Sequence, residues 1–435
     1  MEQYEKDTAP SELQIILPEK HHKNIVFFLI RATLLVCLGV FSLIQIWSAW
    51  QSLYPNGMDL QQDYIAAQRV RHGLDIYEPF SSEDLAALNG KEPKVFLTRN
   101  GHPPLVSVLF IPLSYLPFKW AALIWTIGCV ITLWVSVNII LAELQIRIDR
   151  FWRYLFQMSI LNWYPVLMHL NFGQIEIPLF FIVVTSWTCL RRGRKIFAGV
   201  FLTFATLIKL YPIVLLFYAM LRYRWHVLKT AVLVAFALVM IQTAINPRHW
   251  PDYLFKVVPT ISSQWQNSWY NHSLSSISIR FFEGTDISYP IVNYPKAELP
   301  LRLLLYAITF GCLAIVFWHR RSIFDLSGDF SLLIVSMLLL SPVIWNHAFV
   351  FLILPICYLW QQVKLNPGRW RRWPVALTSF AIALSIPHWR ELMHHVQTLY
   401  AMEKLSFLIS LFSPGVATLI CFFVSILLTL RARPS

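Results

Sequence analysis

Apolar runs long enough to cross a bilayer recur along nearly the whole chain, separated by short polar breaks. A helical span needs about 20 apolar residues. On that measure segments 26–49, 119–142, 154–170, 174–190, 196–208, 210–221, 229–246, 300–318, 329–345, 347–362, 373–389 and 405–430 read as twelve membrane-crossing helices. Two regions break the pattern. The segment PPLVSVLFIPLSYLPF (103–118) is apolar but short and interrupted by prolines, so it is expected to lie in the membrane interface. Segment 196–221 holds two short apolar halves around Lys209-Leu210-Tyr211-Pro212. Neither half makes a comfortable span, which predicts a broken hairpin whose irregular backbone lines a cavity.

Composition agrees with a polytopic all-α membrane protein. Of the 435 residues 57% are hydrophobic and only 14% charged, against roughly 25% charged in a soluble globule. A net charge of +13 would suggest nucleic acid in a soluble chain. Here the basic residues sit between spans, and nucleic-acid binding is set aside. The clusters are Lys20 with Lys23, Arg147/Arg150/Arg153, Arg191/Arg192/Arg194/Lys195, Arg222/Arg224/Lys229, Arg320/Arg321, Lys364/Arg369/Arg371/Arg372 and Arg431/Arg433. With the N-terminus in the cytoplasm, twelve passes put every cluster and the C-terminus inside. The first run lacks an A-x-A-like cleavage site and reads as an uncleaved first span. The six cysteines, all in apolar runs, imply neither a disulfide framework nor a metal site. With no soluble domain, inverted repeat or phosphate-cradling glycine loop in the sequence, residues 1–435 form a single transmembrane domain with outer loops at 50–118 and 246–299.

The polar chemistry then collects on the outer, extracytoplasmic face. Asp63, in QQDYIAAQRVRHGLDIY (61–77), is expected at the start of an amphipathic interfacial helix, facing the bilayer surface where a lipid headgroup arrives. A solvated loop acid or helix N-cap is the plainer alternative. A carboxylate there can take a proton from a sugar hydroxyl as it attacks an anomeric carbon. Lys209 is a charge among apolar residues and needs a partner or water; it either snorkels outward or meets a phosphate at the headgroup level. In SPVIWNHAF (341–349), Trp345, Asn346 and His347 fall at the outer surface. They read as an aromatic-belt tryptophan beside a capping asparagine, or as Trp345 stacking on a sugar and His347 contacting phosphate or sugar. Asn171 and Gln174 flank another outer turn, as caps or as hydroxyl partners, and Glu176 offers a second acid. His394 and His395 lack metal-pair spacing. Loop 246–299, rich in Trp265, Trp269 and Tyr270, reads as a cover, an acceptor surface or a structural flap, and Asn271-His272-Ser273 is a glycosylation sequon, meaningful only in a eukaryotic lumen.

With these residues assembled, the chain resembles the DUF2029 group of integral-membrane glycosyltransferases, family GT87. The resemblance runs roughly from Asp63 to His347. It rests on D-Y-x-x-A followed by G-x-x-I-Y (Asp63 to Tyr77), HPPLVSVLFIPLSYLP (102–117), NFGQIEIPLF (171–180), AGVFLTFATLIKLYP (198–212) and SPVIWNH (341–347), in that order. It implies a GT-C-like bundle of about 12 transmembrane helices and a catalytic acid in the first outer loop, here Asp63. It further implies a sugar on a polyprenyl phosphate as donor, with Lys209 and His347 near the phosphate. The best-described family activity is polyprenol-phosphate-mannose-dependent. The expectation is therefore inverting transfer, of mannose first, to a lipid or glycolipid acceptor at the plasma membrane. Tyr64, Gln174, Asn171, Trp345 and Asn346 would bind substrate. No cofactor and no obligatory metal are expected. This chain departs from the family in inserting Leu210-Tyr211 between the lysine and Pro212, and in having Asn346-His347-Ala348 where two histidines are common. The rival expectations are a transporter or flippase of lipid-linked sugars, a non-catalytic lipid-binding subunit, or a GT-C enzyme using another sugar or acceptor.

Overall fold

The computed structural model describes residues 19–56, 58–86, 88, 99–223, 225–268, 270–284, 290–319, 325–365 and 414–431. Every regular element among them is helical. Five helices are long and apolar enough to cross a membrane: Ile25–Leu53, Phe118–Glu143, Trp225–Ile245, Pro295–Trp318 and Asn346–Leu365. A sixth arises if Tyr164–Phe172 and Glu176–Arg191, bent by 120° at their junction, count as one broken span. Shorter apolar helices occupy Lys195–Ile208, Ile213–Tyr223, Leu326–Leu340 and Thr418–Leu428. The chain is a multi-pass helical membrane protein. The expected span at 373–389 and the start of that at 405–430 lie outside the described residues, as do Arg224, Trp269, Arg320, Arg321, Arg369, Arg371, Arg372, His388, Arg390, His394, His395 and Arg433.

The first ten helices carry most of the site. They are α1 (Glu19–Asn56), α2 (Met58–Arg71), α3 (Ser82–Ala86), α4 (Pro104–Leu109), α5 (Phe118–Glu143), α6 (Arg150–Leu161), α7 (Tyr164–Phe172), α8 (Glu176–Arg191), α9 (Lys195–Ile208) and α10 (Ile213–Tyr223). Three sequence expectations are revised. Segment 103–118 is not one helix but α4 and a 3-10 turn at Leu113–Tyr115, interrupted around Pro112. The span expected at 154–170 is split between α6 and α7, because Pro165 lacks an N–H and suits only a first helical turn. And α2 does not lie on a surface: Leu60 through Ala67 are all buried.

Helix α5 measures the separation between the chemistry and the basic residues. At its Phe118 end, the Tyr64 ring of α2 packs edge-on at 5.2 Å. At its other end Glu143 pairs with Arg191 and Arg192, and nearby Lys364 donates to the Arg147 carbonyl at 2.9 Å. Twenty-six residues of helix put these ends roughly 38 Å apart, at about 1.5 Å per residue.

The expected broken hairpin has its break where the sequence puts it. Helix α9 stops at Ile208, Lys209 is extended (φ −145°, ψ 142°), and α10 begins at Ile213. Pro212 cannot continue a helix but can begin one, and its carbonyl accepts the Leu215 N–H at 2.9 Å.

Candidate active site

On α2, Asp59, Gln62 and Asp63 share one face by their spacing of three and four residues. Asp63 sits in the second turn with no exposure, so it neither starts the helix nor faces the bilayer surface. Its Oδ1 accepts from Nδ1 of His102 at 2.7 Å, while Oδ2 is buried with no hydrogen-bond partner. Facing a carboxylate at that distance, Nδ1 must carry the proton. Burial opposes the imidazolium, but the adjacent Asp63 charge outweighs it and holds the His102 pKa above its ordinary value. Gln62 ties the two strands of the site together. Its Oε1 accepts the Gly101 N–H at 2.9 Å and its Nε2 donates to Asp59 at 3.1 Å. Burial raises the Asp59 carboxyl, against the pull of His102, His347 and Lys209.

His102 is fixed from behind. Buried Arg69 gathers the loop after α2, donating to the carbonyls of Asp75, Glu78 and Pro79 and to both oxygens of Asp84. That loop places Tyr77, whose hydroxyl donates to the His102 carbonyl at 3.0 Å.

The second half of the site comes from the turn after α7. Gly173 ends that helix in the left-handed region (φ +69°), and an added Cβ would lie 2.5 Å from Leu60 Cβ of α2. Only glycine permits both the conformation and the approach. Helix α8 then starts at Glu176, an acid favoured at a helix N-terminus, and Nε2 of His169 accepts the Ile177 N–H at 2.9 Å. The Glu176 carboxylate is fully buried. Lys209 Nζ bonds its Oε1, and His347 Nε2 lies 3.3 Å from the same oxygen. Lys209 and His347 thus meet on Glu176, and both lie within electrostatic reach of Asp59.

His347 opens a 3-10 helix, Asn346–Leu352, after extended Trp345. Asn271 holds this strand. Its Nδ2 donates to the Gln266 and Pro342 carbonyls and its Oδ1 accepts the Ile344 and Ser273 N–H groups, each at 3.1 Å. The sequon asparagine is therefore fully buried and occupied, and glycosylation of the folded chain there is corrected to a structural role. Asn346 hydrogen-bonds His272, whose pKa burial pulls down to about 3, leaving a neutral ring. The ring of Trp345 contacts Trp265 at 5.4 Å and Tyr270 at 6.2 Å.

Of the residues expected from sequence, Asp63, Lys209 and His347 are brought together. Gln174 stands beside Glu176 with its Oε1 buried and unpartnered. Asn171 is half-buried on α7. Tyr64 turns away, its hydroxyl donating to the Leu116 carbonyl at 2.6 Å. The long loop expected as a cover is largely helical, including Val258–Trp265, and Ile261 presses on Gly101. Sequence reasoning passed over His102, although it lies inside a quoted motif, and over the Arg69 clamp.

The profile of glycosyltransferase family 87 matches residues 101–342, more than half of the chain, which therefore belongs to that family. Two curated relatives come from Mycolicibacterium smegmatis. One is a polyprenol-phosphate-mannose-dependent alpha-(1-2)-phosphatidylinositol mannoside mannosyltransferase, 24% identical over 379 residues, covering 78% of this chain and 80% of the relative. The other is a polyprenol-phosphate-mannose-dependent alpha-(1-2)-phosphatidylinositol pentamannoside mannosyltransferase, 27% identical over 265 residues and 58% of each chain.

Proposed function

We propose that this enzyme transfers a sugar, mannose in the first instance, from a polyprenyl-phosphate donor to a lipid or glycolipid acceptor on the extracytoplasmic face. The observation that carries the proposal is the division of the Asp63 carboxylate, with one oxygen held by His102 and the other buried without a partner. The printed activities of the two relatives support the donor and a phosphatidylinositol-mannoside type of acceptor.

In this mechanism Oδ2 of Asp63 takes the proton of an acceptor hydroxyl. The hydroxyl oxygen bonds the anomeric carbon, the carbon–oxygen bond to phosphate breaks, and its electron pair leaves on polyprenyl phosphate. A β-linked donor gives an α-linked product in one inverting step, in keeping with the alpha linkage in both relatives' names. Lys209 and His347 meet the phosphate charge, so orientation and electrostatics supply the rate and no obligatory metal is expected. Trp345, within its aromatic group, and Gln174 are proposed to bind the sugar, with Asn171 and Asn346 in supporting positions.

The frame of the proposal is a GT-C-like bundle of about twelve spans, with the α2–α4 region in the outer layer and both termini cytoplasmic. The gathering of Arg191, Arg192 and Lys364 at the end of α5 remote from Asp63 supports this orientation. The test is transfer from radiolabelled polyprenyl-phosphate-mannose to a crude lipid extract of the host, by protein purified into lipid. Label should move to a new lipid with wild type only, and equal transfer by Asp63→Asn would refute the assignment of the base.

A further inference from the structure

The two residues assigned to the donor phosphate, Lys209 and His347, already share an anion. Lys209 Nζ and His347 Nε2 converge on Oε1 of Glu176, a carboxylate with no solvent exposure. Its second oxygen is buried with no hydrogen-bond partner. The hydroxyl of Tyr211, within electrostatic reach of Glu176, and Nδ1 of His169 are likewise buried and unpartnered. A lysine and a histidine on one carboxylate oxygen, with unused polar atoms around it, leave room for a second anionic group beside Glu176.

We propose that Glu176 is a resident competitor for the lipid phosphate, whose main effect is on release of the product. The inference rests on the donor assigned above. The donor is a phosphodiester with a single negative charge. When the glycosyl bond breaks, the leaving polyprenyl phosphate becomes a monoester, which carries about 1.5 to 2 negative charges near pH 7. The product is thus a stronger partner for Lys209 and His347 than the substrate was. A fixed carboxylate on Lys209 and His347 opposes the extra charge, because like charges in a buried site repel strongly. It also gives Lys209 a partner to return to, so the emptied site is not left with an unpaired buried ammonium.

A different role would be a strut that merely holds Lys209 and His347 in place. The two roles predict opposite signs. Replacing Glu176 with isosteric glutamine removes the charge and keeps the shape. As a competitor, Glu176→Gln should bind polyprenyl phosphate about tenfold more tightly in product inhibition. KM for polyprenyl-phosphate-mannose should move less, and kcat should fall as release becomes limiting. As a strut, the same change should weaken product inhibition and raise KM, which overturns the proposal.

Two controls keep the outcome readable. Glu176→Asp retains the charge one methylene further back and should show inhibition between wild type and Glu176→Gln; inhibition no tighter than wild type counts against competition. The double variant Glu176→Gln/Lys209→Met should lose the tightening, since Glu176 acts through Lys209, and an undiminished tightening overturns that route. Wild type that is not inhibited by polyprenyl phosphate and transfers no sugar would overturn the donor assignment itself. Inhibition that is present but identical in wild type and Glu176→Gln overturns only the role of Glu176.

Discussion

The 2.7 Å hydrogen bond from His102 Nδ1 to Asp63 Oδ1 leaves only the other carboxylate oxygen, Oδ2, without a partner. With Oδ1 occupied, Oδ2 is aimed by a group 39 residues away in sequence. The proposed base and its support arrive from different elements, α2 and the turn before α4, joined by Gln62.

Removing the base should be severe and selective. Asp63→Asn keeps the shape and the contact to His102 but cannot accept the acceptor's proton. Its kcat should fall by about 10² to 10⁴-fold, the usual weight of general base catalysis, with donor KM little changed. Steady-state transfer kinetics in lipid decide this.

His102 has a pH signature. Its pKa lies above the ordinary 6.5 because Asp63 outweighs the cost of burial. A raised value means that the pair's stabilisation is complete below the unfolded value and is lost as pH rises through the folded one. Wild type should therefore lose thermal stability relative to His102→Gln on raising the pH above about 6.5. Unfolding temperatures of the two that stay parallel from pH 6 to pH 9 would contradict the pairing. The same substitution should lower kcat by about 10²-fold through misplacement of Asp63.

Gly173 tests the seam between the two halves of the site. Gly173→Ala meets Leu60 Cβ at 2.5 Å and Leu53 Cδ2 at 2.9 Å while forcing φ +69° on a residue with a side chain. The cost should be about 1 to 3 kcal/mol, read as a lower midpoint in thermal unfolding. Activity should fall with it, because the turn sets Glu176 against α2. An unchanged midpoint would mean that the turn does not press on α2.

Transfer should persist in EDTA, because in the proposed mechanism Lys209 and His347 meet the phosphate charge without a metal. Activity that vanishes with the chelator and returns with Mn²⁺ or Mg²⁺ would refute that part of the mechanism.

Much of this site was legible because Asp63, Lys209 and His347 are ionisable groups set among apolar residues, where charge demands a reason. The breaks at Gly173, Lys209 and Pro342 were legible for the same kind of cause, since glycine and proline restrict the backbone wherever they stand. Partners were not. Hydropathy reports whether a residue is buried and says nothing of what it meets, so His102 passed as part of an apolar motif. Asn271 matched a surface signal while its amide was filling four backbone bonds inside. The division of 154–170 into two helices was hidden because the run is apolar throughout and only Pro165 marks the interruption.

The helix Val258–Trp265 touches the site twice, through Ile261 on Gly101 beside His102 and through Trp265 on Trp345 beside His347. Loops of membrane proteins are the customary places to splice epitopes, fluorophores or affinity tags. Here that custom misleads, because a splice within this stretch would disturb the two ends of the candidate site together. For labelling, Glu83 on α3 is the better choice, because it is exposed.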